Sequence, residues 1–223
     1  MSGSRVSAQA NILAAPQPLE RGLIDAASRF DAATLHEAAG KIGVLPPAIK
    51  PVVAAFKVCG TAVPVSSPGG DNLWLHRALY AARPGDVLVV HVSDQYDHGY
   101  WGEVMSTAAR ARGLAGLVID GCVRDRTMLE QIGFPVFSRG LCIRGTGKDP
   151  DGVGSINTPT KFGDWVVRAG DLIVGDADGV VCIPRAQVAA TLEAAAKRVA
   201  REAAECVQLA DGATTTMSLY ALE

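Results

Sequence analysis

The 223-residue chain has no surplus of either charge, and it has no apolar run long enough to cross a membrane. Lys and Arg total 21 against 23 Asp and Glu, a formal net charge of −2. Phosphate backbones are bound by clustered basic residues in excess, so this balance argues against a nucleic-acid partner. A membrane-spanning helix needs about 18 continuous apolar residues, and none occurs. The first twenty residues, MSGSRVSAQANILAAPQPLE, are broken by polar positions and read as a ragged terminus, not a secretory signal. A cytoplasmic chain without a membrane partner is the expectation.

Cysteine and histidine are equally uninformative as metal or disulfide signatures. Cys59, Cys122, Cys142, Cys182 and Cys206 are odd in number, far apart and form no Cys-x-x-Cys pair. That excludes a disulfide framework and a structural zinc site as first readings. Most lie in apolar stretches and read as small core residues of a reducing compartment. Cys122 is set apart by its place beside the candidate chemistry. His36, His76, His91 and His98 share no ligand spacing, so zinc has no cluster to bind.

What the chain does have is a core: 48% of its residues are hydrophobic, ample for a folded domain and against disorder. Its length suits one domain with an appended tail. Apolar bursts bounded by Gly, Pro and Asp read as strands: FKVCGTAVPV, DVLVVHV, AGLVID, FPVFSRG, and three short ones within DWVVRAGDLIVGDADGVVCIP. Helical patterns lie between them in DNLWLHRALYAA, WGEVMSTAARARG and RDRTMLEQIG, the last opened by Arg124-Asp125. The front half therefore alternates β and α, and the back half is a β meander followed by a helix from Arg185 to about Val207. That helix places Val188, Leu192, Ala195, Val199 and Ala203 on one stripe, predicting a buried face.

The chemistry concentrates in DHGYWGEVMSTAARARGLAGLVIDGCVRDRTMLEQIGFPVF. A glycine loop runs into an amphipathic helix at Gly102-Glu103, and the first amides of a helix point outward with no internal partner. The N–H groups of Val104 and Met105 can therefore hold a carboxylate, and Gly102 lets a ligand approach the backbone. Farther on, the strand LVID ends in a turn that delivers Arg124 and Asp125 side by side, where ligands of α/β sheets tend to bind. Arg124 can fork onto an oxyanion, and Asp125 can ligate a hard divalent ion. A helix start, a guanidinium and a carboxylate together suit a 2-oxo acid bridged by Mg²⁺ or Mn²⁺.

Gly102-Glu103, twenty intervening residues, then Arg124-Asp125 within VIDGCVRD resembles the 4-hydroxy-4-methyl-2-oxoglutarate / 4-carboxy-4-hydroxy-2-oxoadipate aldolases. HEAAGKIGVLPPAIKP, DNLWLHRAL, ARPGDVLVV, GFPVF and RAGDLIVGDADGVVCIP extend the resemblance from about Asp31 to Glu202. It implies the α/β fold of RraA-like proteins, a swivelling β/β/α sandwich with a C-terminal helix. The divisions expected are residues 1–30 as an N-terminal extension or helix, 31–184 as the catalytic domain, and 185–223 as a helix and tail packing on a neighbouring subunit. It implies a divalent-metal-dependent pyruvate aldolase, a carbon–carbon lyase with oxaloacetate decarboxylase side activity. Asp125 would be the metal ligand and Arg124 the residue on the 2-oxo oxygen. The Val104 and Met105 amides would cradle the substrate carboxylate. Glu103 would hold metal-bound water, and Glu202 of an adjacent subunit, or else Glu205, would complete the site. The assembly expected is a homotrimer or homohexamer. Two other readings stay open: an RraA-like regulator of ribonuclease activity without turnover, and a lyase for another 2-oxo acid. RraA-like regulators tend to lose the metal-binding aspartate, and this chain keeps Asp125.

Overall fold

Apolar segments with no polar alternation can only be strands if both of their faces are covered, and the fold supplies both covers. The computed structural model describes residues 11–222. Among them the strands are β1 (Lys50–Pro51), β2 (Val58–Ser66), β3 (Asp86–His91), β4 (Gly116–Asp120), β5 (Cys122–Val123), β6 (Val136–Ser138), β7 (Gly140–Leu141), β8 (Ser155–Ile156), β9 (Thr160–Phe162), β10 (Trp165–Val167), β11 (Leu172–Asp176) and β12 (Gly179–Ile183). The α-helices are α1 (Arg21–Ala27), α2 (Ala32–Ala38), α3 (Leu73–Ala81), α4 (Glu103–Ala111), α5 (Arg126–Ile132), α6 (Val188–Ala210) and α7 (Thr216–Leu219).

β2, β3, β4 and β6 are parallel neighbours, and α3, α4 and α5 make the crossovers that parallel pairing requires. The sheet continues antiparallel through β11, with Leu172 opposite Thr61, to β12, and β1 closes the other edge against β6. The edges curl toward one another: Val44 bridges Val181, and Lys50 Nζ donates to the Asp178 carbonyl. The result is an eight-stranded, nearly closed sheet.

Side chains alternate across it with period two. Leu88, Val90, Leu117 and Ile119 pack outward on Trp74, Leu75, Met105 and Leu129 of the crossover helices. Val87, Val89, Val118 and Phe137 face inward, toward Ile173, Val180 and Cys182. Beyond the meander, Leu172, Val174, Val181 and Ile183 bury Ala27, Leu35, Val188, Leu192 and Ala195 of α1, α2 and α6. The layers run helix, sheet, sheet, helix.

Three local outcomes differ from the sequence expectations. A 3₁₀ turn at Arg185–Gln187 precedes α6, which starts at Val188. Its stripe is buried at Val188, Leu192 and Ala195, but Val199 is 45% exposed and Ala203 is exposed too. The helix has outrun the body it packs on, so these later turns have nothing in their own chain to cover them. Finally, α5 starts at Arg126, because Asp125 adopts the left-handed conformation (φ 64°, ψ 36°), which leaves Arg124 ahead of the helix.

Phe137 fills the space between the two sheet layers and is fully buried. Replacing it with alanine should cost about 3–5 kcal/mol, the usual range for a large aromatic truncated in a core. Urea denaturation of Phe137→Ala checks this, and a loss below 1 kcal/mol would mean the layers do not interlock at that ring.

Candidate active site

The chain leaves the carboxyl ends of β3 and β4 in two loops that run against one another, the position where α/β sheets bind ligands. Backbone bonds zip them: Cys122 N donates to Tyr96 O (2.9 Å), Tyr100 N to Cys122 O (3.1 Å), and Arg124 N to Trp101 O (2.9 Å). Trp101 anchors one side, buried, with its indole N–H on Ser106 Oγ at 2.6 Å and its ring stacked on Phe134. This ladder brings Gly102-Glu103 against Arg124-Asp125.

The contact between them is direct. The Glu103 amide donates to Asp125 Oδ2 at 3.0 Å, and Arg124 Nε stands 3.7 Å from the same oxygen. Gly102 has an extended backbone that any residue adopts (φ −161°), so its use is clearance. A Cβ there would overlap Asp125 Oδ2 and crowd Arg124 Cγ at 3.1 Å. The space opened by Gly102 is thus filled first by a side chain of the protein itself. The left-handed backbone of Asp125, tolerated by few residues other than Gly, Asn and Asp, turns the carboxylate back toward α4. The first intrahelical bond of α4 runs from Ser106 N to Gly102 O, which leaves the Val104 and Met105 amides without helical acceptors.

These groups line a cleft of about 260 Å³. That is small beside the roughly 300–1,000 Å³ of drug-sized ligand sites, and suits a short acid. Three further residues line it that sequence reasoning missed: Asn72, His76 and Lys148. Asn72 Nδ2 donates to Tyr100 O at 3.0 Å and contacts Met105 Sδ at 3.6 Å, while its Oδ1 is buried without a partner among the described residues. Burial, aided by the Lys148 ammonium and opposed by Asp71, holds the His76 imidazole below its usual pKa. A signal for two of them was present, since positions 72 and 76 are one helical turn apart at the start of α3 and share a face. Lys148 sits in a loop, and only folding brings it here.

Glu202 and Glu205 are not among the residues lining the cleft of their own chain. Glu202 pairs with Arg198 at 2.7 Å, Arg198 also reaches Glu37 at 3.5 Å, and Glu205 pairs with Arg201 at 3.2 Å. Among the described residues no three His, Cys, Asp or Glu cluster in a metal-ligating arrangement. Asp125 and Glu103 are the carboxylates lining the cleft, and Asp125 is a hard donor that suits Mg²⁺ or Mn²⁺ with water and substrate oxygens as the remaining ligands. Cys122 is not among the residues lining the cleft, and burial raises its thiol pKa above the usual value.

Residues 22–182 match the RraA-like family model, described as Aldolase/RraA. The chain belongs to the RraA-like family. A relative from Halalkalibacterium halodurans, provisionally named a 4-hydroxy-4-methyl-2-oxoglutarate aldolase, is 40% identical over 156 residues, covering 70% of this chain and 73% of the relative. Another from Albidiferax ferrireducens, with the same provisional name, is 31% identical over 66% of this chain and 87% of its own. The crystal structure of Streptomyces coelicolor RraAS2, an unusual member of the RNase ES inhibitor RraA protein family, superposes with a TM-score of 0.74 at 23% identity, covering 85% and 98% of the two chains. It shares the fold. The RraA-like fold thus carries both an aldolase name and an inhibitor name among the relatives, and only the cleft can separate them.

Gly102→Ala tests the cleft's geometry independently of the substrate. The added methyl must push the Asp125 carboxylate aside, and misplacement of about 1 Å costs on the order of 100-fold in rate. Turnover should fall by about that factor while circular dichroism and thermal midpoint stay close to the parent; undiminished turnover would show that Asp125 need not sit there.

Proposed function

We propose that this chain is a divalent-cation-dependent pyruvate aldolase. It cleaves 4-hydroxy-2-oxo acids, such as 4-hydroxy-4-methyl-2-oxoglutarate and 4-carboxy-4-hydroxy-2-oxoadipate, to pyruvate and a second carbonyl compound. Oxaloacetate decarboxylation is its side reaction. The observation that carries this reading is the adjacency of Asp125, Arg124 and the open end of α4 in one small cleft.

Asp125 would hold Mg²⁺ or Mn²⁺, whose charge when bound polarises the 2-oxo group. The Val104 and Met105 amides grip the substrate carboxylate. Arg124 donates to the 2-oxo oxygen, which becomes negative as the bond between C3 and C4 breaks. Such preorganised charge at the point where an oxyanion develops is usually the largest catalytic contribution. Glu103, exposed at the mouth, would orient the water that takes up the proton of the 4-hydroxyl. The O–H electrons form the new C4 carbonyl, and the C3–C4 pair moves into the enolate of pyruvate. A proton delivered to C3 then releases pyruvate. Loss of CO₂ from oxaloacetate leaves the same enolate, so one set of groups serves both reactions.

Glu202 acts from a neighbouring copy in this scheme, in a homotrimer or homohexamer. What supports assembly is the exposure of Val199 and Val207 on α6, at 45% and 60%, beyond the part that packs on its own body. A head-to-tail ring would cover such a helix and place it near the next cleft. The second reading, a regulator of ribonuclease activity, is favoured by the fold shared with the RNase ES inhibitor relative.

Chelation and one variant decide between them. After EDTA treatment, pyruvate release from oxaloacetate should stop and return with Mg²⁺ or Mn²⁺. Asp125→Asn keeps a residue that tolerates the left-handed backbone and should lose metal-dependent turnover. Arg124→Ala should lower kcat by about 10²–10³. Full pyruvate release by the stripped protein, or by Asp125→Asn, would sink the metal-dependent mechanism, and no turnover by the parent supplied with Mg²⁺ or Mn²⁺ would leave the regulator.

A further inference from the structure

The cleft is also lined by polar groups from the start of α3 and the 142–154 loop, among which the Lys148 ammonium is the cation. Lys148 is held there by its neighbours. Gly147 N donates to Gly70 O at 2.7 Å, Asn72 N to Gly147 O at 3.2 Å, and Asp149 N to Asp71 Oδ2 at 2.5 Å. The backbone on both sides of Lys148 is therefore clamped to the residues just ahead of α3, so its side chain issues from a fixed point on the rim.

Nothing neutralises it. Asp71 is spent on backbone amides, with Leu73 N on Oδ1 at 2.8 Å and Asp149 N on Oδ2. Among the described residues Lys148 makes no ion pair. His76 beside it is biased toward the neutral form, so it supplies a polar edge without a competing cation. On the opposite account, Arg124, Asp125 and the α4 amides already consume the 2-oxo group and its carboxylate. A further cation lining the same cleft, without an ion-pair partner among the described residues, asks for a second anionic group on the same small molecule.

We propose that Lys148 is a specificity-determining residue: it receives a second carboxylate, borne on the hydroxyl-carrying carbon of the substrate. This rests on the aldolase reading above, and adds which end of the substrate the chain selects and with which side chain. A carboxylate at that carbon gains a charge-assisted bond from Lys148, and an uncharged group of the same shape leaves the ammonium unpaired.

The test compares 4-hydroxy-4-methyl-2-oxoglutarate with 4-hydroxy-4-methyl-2-oxopentanoate, in which a methyl replaces the second carboxylate. The parent should prefer the first in kcat/KM. In Lys148→Met that preference should fall about tenfold or more, chiefly through KM. Lys148→Glu should reduce it further, and Lys148→Arg should restore most of it. Because each value is a ratio within one preparation, partial loss of folded protein cancels. An unchanged ratio in both the Met and Glu variants, with the parent active, would overturn the assignment of Lys148 alone. A parent that cleaves neither compound and leaves oxaloacetate intact would overturn the aldolase reading, and this inference with it.

Discussion

A single hydrogen bond, from the Glu103 amide to Asp125 Oδ2 at 3.0 Å, is the contact on which the cleft depends. It joins the first residue of one helix to the capping residue of the next, across twenty-one intervening positions. A hydrogen bond to a charged group is worth about 1.5–3 kcal/mol, and a left-handed non-glycine backbone costs roughly 1–2 kcal/mol. The bond is thus of the right size to hold Asp125 in a conformation it would otherwise leave. It forms only because Gly102 has no side chain. Three sequence features, the glycine, the helix start and the aspartate, are therefore one physical device.

The device is positioned by polar clips more than by the core. Beneath it, Trp101 and Met105 pack into the apolar layer, but the loops themselves are joined by hydrogen bonds. The Tyr100 hydroxyl accepts from Gly70 N at 2.8 Å and donates to Gln95 O at 2.5 Å, and Asn72 ties α3 to Tyr100. Arg139 Nε pairs with the buried Asp120 at 2.6 Å, with its guanidinium over the Tyr96 ring, which braces the start of the same loop. Burial pushes the Tyr100 hydroxyl above its ordinary pKa, so it stays protonated and keeps donating throughout the neutral range. Such supports fix the backbone from which the exposed Arg124 and Glu103 extend, the rigid placement that the proposed chemistry would need.

Much of this was legible in the residues. The alternation of β and α before Phe134 is visible in the apolar bursts and helical periods, and the runs of β3 and β4 read as strands; that they pair in parallel with helices as crossovers is what the structure adds. The pairing of Gly102-Glu103 with Arg124-Asp125 was visible as spacing. The wall of Asn72, His76 and Lys148 was not, because periodicity reports which face is buried and says nothing about polar groups that distant loops bring together. The turn at Asp125 was hidden for a related reason: an aspartate before a helix reads as an ordinary cap, and only the amide waiting at Glu103 makes the left-handed form pay. The stripe on α6 was read as buried throughout, yet only its first half meets this chain, since an apolar period cannot say whose surface it covers.

The same chemistry explains why the fold alone leaves the function open. Removing the Asp125 carboxylate would relieve a strained residue and leave the Glu103 amide to solvent at an exposed helix end, where water can replace the lost acceptor. The sheet layers, with Phe137, Val118 and Ile173 between them, would not register the change. A chain of this architecture can therefore shed catalysis at little cost in stability, and its scaffold remains available for binding alone. Keeping the carboxylate, the guanidinium beside it and the glycine that makes room for both is a constraint that packing does not impose. The Glu103 amide offsets the strain at Asp125 but gives no reason for a guanidinium beside the carboxylate, and a hard oxygen donor next to a forked cation is the pairing that the proposed oxyacid and divalent ion would use.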